Sequence, residues 1–206
     1  MTRTVTTTHL QMSSADALRP SATPLPPGCR IERAVDATPE FSRFLYQGVG
    51  SGWNWADRLA WSRAHWAEVL AAPGTETWVL YRDGSPAGYV ELAARTAGSG
   101  ATPTVAANGA PGTAVEIVYF GLFPGHLGLG LGGALLTEGI RRAWDLDARH
   151  PGLPPVGRVW VHTCSLDGPA ALANYRARGL EVFHVEDEEL EPVDASAGPW
   201  PRESGD

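Results

Sequence analysis

Residues 125–133 constrain the fold of this chain most, because they are dense in glycine and join an apolar stretch to a periodic one. Residues 114–123 read AVEIVYFGLF, which predicts a buried central strand. Residues 134–148 have apolar side chains at helical spacing. The free N–H groups and the dipole at such a helix start attract phosphate. The pattern therefore predicts a site for a phosphate-bearing ligand, with a turn used only for tight packing as the alternative.

The composition describes one globular domain with a modest negative charge. The chain has 206 residues, 43% of them hydrophobic, and a formal net charge of −7. This charge argues against nucleic acid or an anionic membrane as a partner. All 16 basic residues are arginine, which excludes Walker-type phosphate loops and lysine Schiff-base chemistry.

Neither a targeting segment nor a metal site is predicted. No apolar run is long enough to span a bilayer, and the first residues lack the apolar core of a signal peptide. The two cysteines, Cys29 and Cys164, form no disulfide framework or zinc set, and the histidines show no metal-binding spacing. We therefore expect a cytoplasmic protein without a metal, present as a monomer or a homodimer.

Composition shifts divide the chain into segments. Residues 1–27 are rich in Thr, Ser and Pro and are predicted to be a mobile arm. The folded domain is expected over residues 28–186, with a flexible Gly- and Ala-rich insert at 96–113. Residues 187–206 are acidic and then Pro-rich, which predicts a loose tail. Within the domain, the patterning predicts strands at 29–35, 76–81, 87–93, 114–123, 156–163 and 180–185, and helices from 39, over 56–70, 134–148 and 169–178.

Two classes of phosphate-bearing ligand compete for the glycine segment. Gly128, Gly130 and Gly133 fit the G-x-G-x-x-G fingerprint of dinucleotide-binding proteins, which would indicate an oxidoreductase. That fingerprint requires a strand that runs directly into the first glycine and an acid about 20 residues later at the end of a second strand. Here residues 124–127 intervene and the nearby acids lie in the predicted helix, so the match is weak.

The second class fits two motifs that stand in order along the chain. The run Leu127-Gly128-Leu129-Gly130-Leu131-Gly132 follows the central strand, and Ala171, Tyr175 and Gly179-Leu180 follow one helix and one strand later. Together they resemble the phosphate motif and the late helix motif of the GNAT superfamily of acyl-CoA-dependent N-acetyltransferases. The resemblance implies an α/β fold with a mixed, largely antiparallel sheet, helices on both faces, and a splay between the central strand and the following parallel strand.

The same resemblance implies that acetyl-CoA is the cosubstrate. Its binding residues would be Gly121, Leu122, Leu127, Gly128, Leu129, Gly130, Leu131, Gly132, Gly133 and Asn174. Two departures from the family pattern concern this site: Leu127 stands where the family has Arg or Gln, and Gly168 stands where it often has Asn. Phosphate binding would then depend on backbone N–H groups and distant arginines, because no cation lies within the loop.

Glu116 and Tyr175 are the candidate catalytic residues. Glu116 is an acid within an otherwise apolar strand, where burial would raise its pKa toward the working range of a base. In the family, a Glu at this place acts as base and the late-motif Tyr protonates the CoA sulfur, which implies the same roles here. The alternatives are an ion-paired or solvated Glu116 and an ordinary core Tyr175.

Candidate substrate-binding residues are Trp53, Trp55, Tyr119 and His162. Trp residues on a loop can hold a cationic or flat molecule by cation–π contact or stacking, or can anchor that loop to the core. His162 lies near the end of a strand, where it could assist proton transfer or be structural. The acceptor would be a small amine or a peptide N-terminus. The alternative functions are a non-catalytic acyl-CoA-sensing module and, less well supported, a dinucleotide-dependent oxidoreductase.

Overall fold

The computed structural model describes residues 2–53, 55–95, 104–105 and 111–191. Seven strands form one sheet in the order β2-β3-β4-β6-β7-β1-β8, and the short β5 pairs with β6. The strands are β1 (Arg3–Met12), β2 (Cys29–Arg33), β3 (Glu76–Arg82), β4 (Ser85–Arg95), β5 (Thr104–Val105), β6 (Pro111–Leu122), β7 (Val156–Cys164) and β8 (Glu181–Leu190). Of these pairings, the one between β6 and β7 is parallel and the others are antiparallel.

Five α-helices accompany the sheet in the part of the chain that the structure describes. They are α1 (Pro39–Gly50), α2 (Arg63–Ala71), α3 (Leu131–Trp144), α4 (Leu146–Arg149) and α5 (Ala171–Ala177). Two begin at hydroxyl caps: Thr38 accepts a hydrogen bond from the N–H of Phe41, and Ser62 accepts one from the N–H of His65. The predicted helix over 56–70 is thus shorter at its start, because the cap at Ser62 sets its first turn.

Apolar side chains that alternate along the strands form two layers on opposite faces of the sheet. Leu80 and Val90 pack in the larger layer with α3 and α5, whereas their neighbours Val79 and Tyr89 pack in a smaller layer with α1. This arrangement of helices on both faces of a mixed, mostly antiparallel sheet confirms the predicted fold class. Among the described residues, no helix has the length and apolar character needed to cross a bilayer.

The predicted splay between β6 and β7 is present. Their parallel register ends at Glu116 opposite Trp160, although β6 continues to Leu122 and β7 to Cys164. On its other side, β6 pairs with β4 through a register shift that leaves Val118 as an extra residue. The bend and the early end of the pairing open a V-shaped gap in the sheet.

The prediction of a mobile arm over residues 1–27 is wrong for most of its length. β1 lies inside the sheet, between β7 and β8, and Leu10 in its second half is fully buried. The segment that follows is also held in place: the N–H of Arg19 donates to the carbonyl of Arg178, and the N–H of Ser21 donates to the hydroxyl of Thr137. The Thr-rich pattern concealed this strand because its polar side chains interrupt the apolar alternation.

The predicted tail and insert are corrected in part. β8 runs to Leu190, so residues 187–190 belong to the outer strand of the sheet. They pair with the first residues of β1, and Leu190 is opposite Arg3. Within the predicted insert at 96–113, Thr104–Val105 pairs with the beginning of β6. Residues 96–103, 106–110 and 192–206 lie outside the described residues, and the predictions made for them stay predictions.

Candidate active site

One cleft of about 970 Å³ follows the gap between β6 and β7. Most of the residues predicted to form the site line this cleft. They are Trp53, Trp55, Tyr119, Gly121, Leu122, Leu127, Gly128, Gly130, Leu131, Gly132, Gly133, His162, Asn174 and Tyr175. Two predicted site residues, Glu116 and Leu129, are absent from the lining. Residues from distant parts of the sequence thus meet in one cavity.

The glycine loop delivers the start of α3 to the cleft. Gly128 and Gly130 have φ angles of 73° and 75°, in the left-handed region that glycine adopts without strain. Gly130 is the N-cap residue of α3 and has no side chain, so it accepts no hydrogen bond from the first N–H groups of the helix. Such N–H groups, at the positive end of the helix dipole, form an anion-binding site.

Arg178 supplies a cation at this loop that the sequence motif lacks. Its Nη1 lies 2.6 Å from the position that a Cβ on Gly133 would occupy, so the guanidinium is close to the loop backbone. The Nε of Arg178 is buried and has no hydrogen-bond partner among the described residues. The guanidinium thus lies beside the start of α3, although Arg178 is not among the residues that line the cleft.

Gly132 and Gly121, two further cofactor candidates, lie beside side chains of other elements. A Cβ on Gly132 would be 3.7 Å from the amide nitrogen of Asn174, which places that side chain beside the start of α3. A Cβ on Gly121 would lie 2.5 Å from Val49, so α1 packs directly on β6 at this residue. The bulge in β6 lies earlier, at Val118, and the requirement for glycine at 121 arises from the contact with α1.

Glu116 is buried and is held by Arg95 and His162. It is 5% exposed, its Oε2 accepts a hydrogen bond of 2.6 Å from Arg95, and its Oε1 lies 3.5 Å from Nδ1 of His162. Burial alone would raise its pKa, but the contacts with His162 and Arg95 outweigh burial and lower it. The expectation of a raised pKa at Glu116 is therefore wrong, because the sequence did not reveal these two partners.

His162 presents its imidazole to the cleft. Its side chain is 46% exposed, and the neighbouring Glu116 carboxylate raises its pKa by hydrogen bonding, against the opposing effect of burial. With Nδ1 directed at Glu116, the Nε2 nitrogen is the one left to exchange a proton with a molecule in the cleft. The side chain thus has the orientation of a general base with a carboxylate behind it.

Tyr175 is 5% exposed and lies on the opposite wall of the cleft, against the ring of Phe120 at 5.9 Å. Burial, and then the charge of Asp167, raises the pKa of its hydroxyl. The phenol therefore keeps its proton at neutral pH, which suits a group that donates a proton.

Aromatic side chains and one carboxylate form the other end of the cleft. Trp55 packs on the Tyr119 ring with centroids 4.8 Å apart, and the Trp53 ring lies about 3.4 Å from a Cβ placed on Gly168. The carboxylate of Asp57 accepts hydrogen bonds from the hydroxyls of Tyr46 and Tyr119. Burial raises the pKa of both phenols, with a further contribution from the Asp57 charge, so both stay protonated as donors.

A buried ion pair braces this aromatic group. Arg58 donates two hydrogen bonds, 3.0 and 2.8 Å, to Glu91 on β4, and both side chains are at most 5% exposed. The guanidinium carbon lies 4.4 Å from the Tyr119 ring centre and 4.6 Å from that of Trp61. Because a bidentate pair fixes both planes, these contacts hold the aromatic walls in a defined orientation.

The sequence interpretation missed Asp57, Arg58, Arg95 and Arg178, all of which line the cleft or contact its loop. A local signal existed for the first two, which directly follow the Trp53–Trp55 segment. For Arg95 and Arg178 no local signal was available, because their partners lie on other elements.

This fold and this cleft define the class of protein. The model of the Acetyltransferase (GNAT) family matches residues 36–180, and the chain belongs to that family. Among curated proteins, no match was found.

Several solved structures share the fold at low sequence identity. A GCN5-related N-acetyltransferase from Kribbella flavida superposes with a TM-score of 0.58 and 15% identity over 91% of this chain and 59% of its own. One from Sphaerobacter thermophilus gives 0.55 and 16%, over 96% and 56%. A tandem GNAT protein from the clavulanic acid biosynthesis pathway gives 0.53 and 18%, over 92% and 55%. The chain thus spans less than two thirds of the length of each of these proteins.

Proposed function

We propose that this protein transfers an acetyl group from acetyl-CoA directly to the nitrogen of a primary amine. The observation that carries the proposal is the cleft at the β6–β7 splay, with an anion site at one end and an aromatic, acidic end opposite. Membership of the GNAT family supports acyl transfer as the chemistry.

The residues present at the glycine loop fit a CoA phosphate group. The backbone of residues 128–133 would donate N–H groups, and the Arg178 guanidinium beside Gly133 would add positive charge. The edge of β6 beyond Glu116, unpaired by β7, offers backbone groups to an extended arm of the cosubstrate. When bound, acetyl-CoA supplies the thioester carbonyl that the amine attacks.

The aromatic end of the cleft favours a cationic acceptor. The carboxylate of Asp57 and the aromatic rings of Trp53 and Trp55, which line this end of the cleft, would attract an ammonium group. An amine is protonated at neutral pH, so it must lose a proton before it can act as a nucleophile.

Two side chains would carry out the proton transfers. His162, oriented by Glu116, would accept the proton of the acceptor amine at Nε2, so Glu116 acts as a positioning residue. Tyr175, with its raised pKa, would donate its proton to the leaving sulfur. Glu116 as the base remains the simpler hypothesis, and the two assignments differ in whether the cleft-facing imidazole is required.

Binding and turnover of the full chain test the proposal separately. Calorimetric titration with acetyl-CoA should show saturable binding, and an amine panel followed by CoA release should show turnover with at least one cationic amine. Tyr175→Phe should lower kcat by about 10²-fold or more while leaving acetyl-CoA binding intact. Arg178→Met should weaken acetyl-CoA binding by about tenfold, and Arg176→Met, an exposed arginine on the same helix, is the matched control.

Three results would contradict the proposal. Binding of NAD without binding of acetyl-CoA would indicate the dinucleotide-dependent alternative. Tight binding of acetyl-CoA with no turnover across the amine panel would indicate a sensing module. Unchanged turnover of Tyr175→Phe would remove the assignment of that residue.

A further inference from the structure

Three side chains with metal-ligating atoms meet on β1 and β8, outside the cleft. One ring nitrogen each of His9 and His184 and one carboxylate oxygen of Glu186 all lie within 4.8 Å of one another. Nε2 of His9 is 2.8 Å from Oε1 of Glu186, and Nε2 of His184 is 3.6 Å from Oε2 of the same carboxylate.

The sheet register brings these residues together. His9 on β1 is directly opposite His184 on β8, and His184 and Glu186, two positions apart on one strand, project to the same side. The register shifts after His9, so Phe183 has no partner on β1. A bulge of this kind reorients the adjacent side chains, and it lies next to the pair of imidazoles.

Aromatic rings surround His9 on one side of the site, and the other side is open to solvent. The His9 side chain is 19% exposed, and its ring lies 5.8 Å from that of His162, 5.9 Å from Phe183 and 6.4 Å from Trp160. The side chains of Glu186 and His184 are 44% and 55% exposed. A metal held here would be accessible from solvent and would keep a position for water.

We propose that His9, His184 and Glu186 form a binding site for a divalent transition metal, with zinc as the best fit. Two imidazole nitrogens and one carboxylate oxygen are a ligand set that zinc accepts, whereas magnesium and calcium prefer oxygen ligands alone. With metal–ligand bonds of about 2.0–2.1 Å, tetrahedral ligands are separated by about 3.3 Å. Each imidazole lies near this distance from one of the two carboxylate oxygens, His9 at 2.8 Å from Oε1 and His184 at 3.6 Å from Oε2.

The metal would join the outer strand to the sheet. β8 is exposed along its whole length and has one neighbour, β1, so a bond from His184 and Glu186 to His9 would fasten it across that single pairing. Metal binding to the folded chain alone stabilises it by mass action.

Titration of the full chain with zinc chloride near neutral pH tests the site. We expect saturable binding of about one zinc per chain by calorimetry, a higher Tm, and an X-ray absorption spectrum with two imidazole ligands. His184→Ala and Glu186→Gln should each weaken zinc binding by more than about tenfold. Both side chains are well exposed, so the variants are expected to fold, which circular dichroism would check.

His65→Ala is the matched control. His65 pairs with Glu68 on α2 at 3.3 Å, and its side chain is 46% exposed, close to the 55% of His184. It lacks a third ligand in the described part of the chain. The control should bind zinc like the wild type. Absence of saturable zinc binding would overturn the proposal. Equal zinc affinity in the His184→Ala, Glu186→Gln and wild-type proteins would also overturn it, because the zinc would then be bound elsewhere, for example by the cysteines.

Discussion

At the residue scale, the pair formed by Glu116 and His162 should set the pH dependence of turnover. A base works in its neutral form, and the pKa of His162 is raised from its ordinary value of 6.5. Hence kcat/KM should rise with pH through a value above 6.5. Glu116→Gln removes the carboxylate that favours the imidazolium, so the acid limb should move to lower pH and kcat should fall by at least about tenfold.

The pH profile separates a positioning role from a merely structural one. Glu68→Gln, at an exposed glutamate on α2, is the control and should keep the wild-type profile. An acid limb that stays in place in Glu116→Gln would show that His162 is not the titrating base.

The site residues differ in how readily a sequence reveals them. Glu116 could be predicted because an acid in an apolar strand needs a reason, and Tyr175 could be predicted from its motif. The lowered pKa of Glu116 could not, because Arg95 and His162 reach it across the sheet. Arg178 was equally hidden: it comes to the glycine loop through the packing of α5, and spacing along the chain does not encode that approach.

At the element scale, β1 should contribute strongly to stability. Leu10 lies in its second half and is fully buried in the larger apolar layer. Leu10→Ala should lower the free energy of unfolding by about 2–5 kcal/mol, through lost burial and the cavity left behind. Urea denaturation measures this change.

Leu129→Ala is the matched substitution, because Leu129 is 45% exposed in the glycine loop. It should change the free energy of unfolding by less than about 0.5 kcal/mol. Equal and small effects of the two substitutions would mean that β1 is dispensable for the sheet.

The elements themselves were predicted unevenly. The central strand, the glycine turn and α3 follow from strong periodicity, and they were located within a few residues. β1 was misread as an arm because threonines fill its first half, although β-branched residues favour strands. A strand whose partners lie far along the chain gives no local pairing signal, which is why composition was misleading there.

At the scale of the whole molecule, Glu76 should govern the response of stability to acid. It is 2% exposed and contacts Arg149, Arg33 and His150, together with the indole N–H of Trp78. These contacts join β2 and β3 to the segment after α3. Burial opposes ionisation, but the hydrogen bond from Arg149 and the other partners outweigh it and lower the pKa of Glu76.

A lowered pKa in the folded state stabilises the protein above the ordinary value of 4.5, and this stabilisation is lost as the pH falls below it. The free energy of unfolding should therefore decrease below about pH 4.5. Glu76→Gln should lower it by about 3 kcal/mol at neutral pH, because buried charges lose their partner, and should flatten this acid dependence.

Denaturation curves at several pH values measure both effects. Glu32→Gln is the control, since Glu32 forms an exposed pair with Arg30 and should alter neither the stability nor its slope. A Glu76→Gln protein with the wild-type acid slope would assign that slope to other carboxylates.

The position of β1 between β7 and β8 also determines when the sheet can be completed. During synthesis β1 leaves the ribosome well before β7 and β8: Thr6 and Ser165, which are hydrogen-bonded, stand 159 positions apart. The nascent strand must wait without its partners, and the loop that closes this pairing is very long. Folding should therefore finish late and slowly, with β1 exposed to chaperones or to other chains until β7 and β8 have emerged.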